Sequence, residues 1–67
     1  MTKQDLINEP QNFESEDRLL EWFFSERLNK FCALFNGELS TFKTFKASQK
    51  NCFRLIEKFG LEKAEVK

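Results

Sequence analysis

Between Ser15 and Gly37 the apolar residues Leu20, Phe23, Phe24, Leu28, Phe31, Leu34 and Phe35 recur mostly at intervals of three and four. At 3.6 residues per turn that spacing gathers all seven on one face of a helix. Ser15 is a good N-cap, and Glu16 and Asp17 fall in a first turn, where the helix dipole favours anions. Asn36-Gly37 reads as a stop, with Gly37 suited to a left-handed C′ position. The expectation is a helix over residues 16–36.

The remainder is organised around this segment. Val and Ile together number three, and the polar filler is Glu, Lys, Gln and Arg, which favours helix over strand. Near the N-terminus Thr2 and Asp5 have capping-box spacing, and Pro10 limits any helix there to a short one; residues 1–12 form a short helix or an arm. After Glu38-Leu39, Ser40 or Thr41 caps a third segment. There Phe42, Phe45, Cys52, Phe53, Ile56 and Phe59 share a side over residues 41–59, and Gly60 stops it. Residues 61–67 are expected to be a frayed tail. Two helices of similar length with a short connector fold back on each other. The predicted fold is therefore all-α: one small helical domain spanning residues 1–67, built as an antiparallel helical hairpin (16–36 and 41–59) with a short N-terminal helix. A chain of 67 residues has a small core, and dimerisation into a four-helix bundle is one way to complete such a hairpin.

Charge separates along the chain. The formal net charge is zero, but residues 1–29 carry three positive and seven negative side chains, and residues 30–67 carry eight positive and four negative. Residues 41–54, TFKTFKASQKNCFR, hold four cations and no acid. On a helical wheel Lys43, Lys46, Lys50 and Arg54 form one stripe of less than about a quarter-turn, with Phe45, Cys52, Ile56 and Phe59 roughly opposite and Phe42 and Phe53 on its border. The stripe suits a phosphate backbone. It equally suits the wet side of an amphipathic helix whose cations meet acids from the first half. A helix-turn-helix is not supported. Ala33 and Gly37 match its small residue and glycine, but Glu38, Lys43 and Lys46 fall where that motif needs apolar side chains.

On the wheel of the 16–36 helix, Trp22, Leu19 and Ala33 lie off the main apolar face. Large aromatics without cover mark partner sites, and Trp is enriched in interface hot spots. Leu19 and Trp22 are thus the candidate partner-binding residues, unless the N-terminal segment folds over them through Leu6, Ile7 or Phe13.

Several classes fall away. There is no His, no CxxC and no Gly-rich phosphate loop, so a catalytic site, a metal site, a cofactor site or a small-molecule substrate is not expected. Cys32 and Cys52 read as reduced core residues, which with the polar N-terminus points to the cytoplasm. No apolar run approaches the length of a membrane span. The functional expectation is a small non-enzymatic regulator or inhibitor that binds a protein partner, or itself, through an apolar helical face. The alternative is nucleic-acid binding through Lys43, Lys46, Lys50 and Arg54.

Overall fold

The structure, a computed structural model, describes residues 2–64. Its elements run α1 (Lys3–Asn8), β1 (Gln11–Glu14), β2 (Leu19–Ser25), β3 (Lys30–Phe35), β4 (Glu38–Phe42), α2 (Phe45–Phe59) and β5 (Glu62–Lys63). The strands form one antiparallel sheet in the order β4-β3-β2-β1-β5. The all-α fold, the helical hairpin and the four-helix bundle are thereby overturned.

The correction lies in the period. Read every second residue, β2 presents Leu20, Trp22 and Phe24, and β3 presents Phe31, Ala33 and Phe35. The register places Leu20 opposite Phe35, Trp22 opposite Ala33 and Phe24 opposite Phe31. Directly opposed residues point to the same face of a sheet, so these six form one continuous apolar surface. The punctuation that resembled helix ends belongs to turns. The Ser15 N–H donates to the Arg18 carbonyl at 2.9 Å, closing the β1–β2 loop. Within the expected helix the chain reverses at residues 26–29, where Asn29 takes φ 54 and the Leu28 N–H donates to Ser25 Oγ at 3.2 Å. Asn36 and Gly37 both have positive φ, 48 and 89. Two such residues make the tight turn whose twist matches a hairpin.

The two helices cover the same face of the sheet. In α1 the capping box forms as expected: the Thr2 N–H donates to Asp5 Oδ2 at 3.0 Å and the Asp5 N–H to Thr2 Oγ1 at 3.3 Å. Those Thr2 hydrogen bonds hold the Asp5 carboxyl below its ordinary pKa. Thr44 rather than Ser40 or Thr41 caps α2, because residues 38–42 are already committed to β4. Gly60 ends α2 in the left-handed region, φ 63, as expected. Leu6, Leu20, Trp22, Phe31, Ala33, Cys52 and Leu61 are the buried centre. Each large side chain withdrawn there contributes about 1.5–3 kcal/mol. Residues 61–63 are not a frayed tail: Leu61 is buried, and Glu62 and Lys63 pair with β1. Residues 65–67 lie outside the described residues.

Candidate interaction surfaces

Trp22 leaves the candidate surface. It is 0% exposed at the centre of the sheet, where its ring stacks on Phe45 at 5.5 Å and meets the edge of Phe53 at 6.1 Å. Its Nε1–H donates to Ser48 Oγ at 3.1 Å, so the one polar atom of the indole is satisfied. The position off the apolar helix face was a consequence of the wrong period. Trp22 alternates with Leu20 and Phe24 and belongs with them.

Leu19 remains. One residue before Leu20, it points to the opposite face of the sheet and is 64% exposed. Register gathers others beside it: Leu34 lies opposite Leu39, and Phe23 opposite Cys32. Leu39 is 53% exposed, Phe23 and Leu34 are half-buried, and neither α1 nor α2 covers this face. Leu19, Leu34, Asn12, Glu21, Asn36 and Gly37 line a concave site of about 420 Å³. Glu14, Glu21 and Glu62 share the face by register and outweigh Lys30 there, which gives it an acidic cast. Sequence spacing missed Phe23, Leu34 and Leu39 as surface residues because helical periodicity assigned Phe23 and Leu34 to a core and Leu39 to a connector.

The basic stripe is partly assembled. Lys46, Lys50 and Arg54 lie at steps of four along the exposed side of α2, and Lys58 continues the row. Lys43 precedes the helix, in the connector from β4. Among the described residues the stripe cations form no ion pair; the single salt bridge joins half-buried Arg18 to exposed Asp17 at 3.1 Å. Arg54 Nη2 donates to the neutral Asn51 at 3.4 Å. Among the described residues no first-half acid pairs with the stripe, and Glu14 and Glu21 lie on the open face of the sheet. Of the bordering aromatics, Phe42 belongs to β4, while Phe53 is 49% exposed beside Lys50 and Arg54.

The cysteines lie on opposite faces of the sheet and both are free. Burial pushes the Cys52 thiol up to about 12. It also raises that of Cys32, partly offset by a hydrogen bond from the Ser25 backbone and the charge of Lys30. Thiols so shifted are poor nucleophiles at neutral pH. Among the described residues no group of three Cys, Asp or Glu side chains could hold a metal ion, and no helix is long and apolar enough to cross a membrane. The chain matches no family model, no curated protein and no solved structure.

Proposed function

We propose that this chain is a non-enzymatic interaction protein that docks on a protein partner through the open face of its sheet, as a regulator or inhibitor of that partner. The observation that carries this reading is the apolar patch of Leu19, Leu34, Leu39 and Phe23 on a face that neither helix covers. Apolar clusters rimmed by polar residues are typical of protein interfaces. The acids Glu14, Glu21 and Glu62 orient the partner by favouring a basic surface. A photocrosslinking residue placed at Leu19 tests it. A discrete protein adduct at position 19, lost when Leu39→Glu is added to a chain that still folds, is the expected result. Absence of any protein adduct there, with adducts forming from position 50 on α2, refutes it.

A second reading has its own support in the unpaired cations Lys46, Lys50 and Arg54. On α2 they would follow a nucleic-acid backbone, and Phe53 beside them offers a stacking surface. That reading requires retention of duplex or single-stranded DNA at low salt, with log K falling against log salt at a slope of about −3 for three to four phosphate contacts. Lys46→Glu with Lys50→Glu abolishes the retention if it holds. No retention by the unmodified chain at low salt removes it.

A further inference from the structure

We propose that β4 is a self-complementary edge through which two copies of this chain pair antiparallel about Ser40, joining their sheets into one. This inference does not depend on the reading of the open face.

The turn at Asn36-Gly37 fixes which backbone groups of β4 point outward. Asn36 and Gly37 form a two-residue turn, so Phe35 and Glu38 are the hydrogen-bonded pair that closes it. The pattern alternates along an antiparallel ladder. Glu38, Ser40 and Phe42 therefore bond to β3, while the N–H and C=O of Leu39 and Thr41 point away from the sheet. The β2–β3 ladder gives the same parity independently. The Asn36 N–H donates to the Leu19 carbonyl at 3.0 Å, which turns Asn36 and Leu34 towards β2 and leaves Phe35, Ala33 and Phe31 for β4. Among the described residues no hydrogen bond reaches the backbone of Leu39 or Thr41 from outside the sheet.

Natural edges are blunted by Pro, Lys, a bulge or a covering element. Among the described residues this one has none of these, and its single charge, Glu38, sits at the turn end of the strand. ELSTF contains neither Pro nor Lys, and its register with β3 is unbroken from Phe42 opposite Phe31 to Glu38 opposite Phe35. Residues 38–41 are all exposed. The following helix turns inward, since Phe45 packs 5.5 Å from Trp22 and 5.9 Å from Phe31 rather than over the edge.

A second copy fits this edge in one register better than its neighbours. With Ser40 opposite Ser40, each Leu39 faces the other copy's Thr41, and all four outward groups on each strand find partners at once. Ser40, whose own groups face β3, falls at the non-bonded position on the two-fold axis, as the alternation requires. Glu38 then lies opposite Phe42, so no like charges meet, and the Lys43 end of each strand lies beside the Glu38 end of the other. Shifting the centre to Leu39 or Thr41 leaves outward groups at a strand end without a strand opposite. Five residues a side make less contact than the roughly 1,200–2,000 Å² of a standard interface, so the pairing is weak and concentration-dependent.

The test is a concentration series of the full chain followed by sedimentation and by amide hydrogen exchange. The expected result is a shift from monomer to dimer mass, with protection rising at the Leu39 and Thr41 amides while Ser40 is protected throughout. Ser40→Lys and Ser40→Glu each place like charges across the axis and leave a monomer; a mixture of the two restores a mixed dimer. Trp22 fluorescence reports that each variant is folded. A monomer at all concentrations, with freely exchanging Leu39 and Thr41 amides, overturns the proposal. So does a dimer that survives both Ser40 variants and is lost with Leu19→Glu, which would place the contact on the open face. Protection of Leu39 and Thr41 that appears only with an added foreign peptide overturns self-pairing in favour of a strand from another protein.

Discussion

Ser48 Oγ stands at the junction of helix and sheet, accepting the Trp22 Nε1–H at 3.1 Å and donating to the Phe45 carbonyl at 2.8 Å. Both side chains are 0% exposed. The bond ties the first turn of α2 to the middle strand of the sheet, and it is where a change in the helix is felt by the core.

Ser48→Ala leaves the indole N–H buried without a partner, which costs about 1–3 kcal/mol. In a Trp22→Phe background there is no N–H to strand, and the same change costs less. A double-mutant cycle by denaturant unfolding reads the difference. Tryptophan emission of the native chain is blue-shifted and resists aqueous quenchers. Red, readily quenched emission contradicts this burial.

The Cys52 thiol, pushed up to about 12 by burial, makes stability depend on alkaline pH. Its folded pKa exceeds the ordinary value of 9.0, so the folded chain holds the proton that the unfolded chain gives up. The contribution is complete below pH 9 and is lost as pH rises towards 12. Cys52→Ala flattens this limb of the stability profile. At neutral pH Cys52 resists thiol reagents until the chain unfolds.

Gly37 has φ 89, and a Cβ built there meets nothing within 4 Å. Gly37→Ala therefore carries only the backbone penalty, about 1–2 kcal/mol. Asn36 has a second role, because its Oδ1 accepts the Leu19 N–H at 2.9 Å. Asn36→Asp keeps the acceptor and tolerates positive φ; Asn36→Ala loses both and destabilises more. Thermal midpoints of the three variants should rank in that sense.

Arg18 has two partners of different worth. Its guanidinium lies 4.5 Å from the centroid of Phe59, which itself stacks on Phe35, and 3.1 Å from the exposed Asp17 carboxylate. Exposed ion pairs contribute about 0–1 kcal/mol and are screened by salt. Asp17→Ala should leave stability within about 0.5 kcal/mol. Arg18→Ala costs more, about 0.5–1 kcal/mol, and the loss persists in high salt because ring contact and stem packing are involved.

The chain itself determined the features that depend on a few neighbouring residues. Thr2 and Asp5 form their capping box, Pro10 follows a short first helix, and Gly60 ends the last helix. The outward row Lys46, Lys50, Arg54 was legible from its spacing. The sites of reversal at Ser15, Asn36 and Gly37 were also marked, since Ser, Asn and Gly serve turns and helix ends alike. Tertiary pairing decided what lay between them. Leu20, Phe23, Phe24, Leu28, Phe31, Leu34 and Phe35 satisfy a helical period, but that helix leaves Trp22 outside the core. The strand period buries Trp22 against Ser48 and Phe45, and it lets Asn29, Asn36 and Gly37 use their positive φ in turns. A sheet pairs residues distant in sequence, so its gain is not visible in any one segment. The same pairing sent Leu19, Leu34 and Leu39 together to the open face and left Leu39 and Thr41 on a free edge, because strand alternation and register, rather than local spacing, fix which way each residue points.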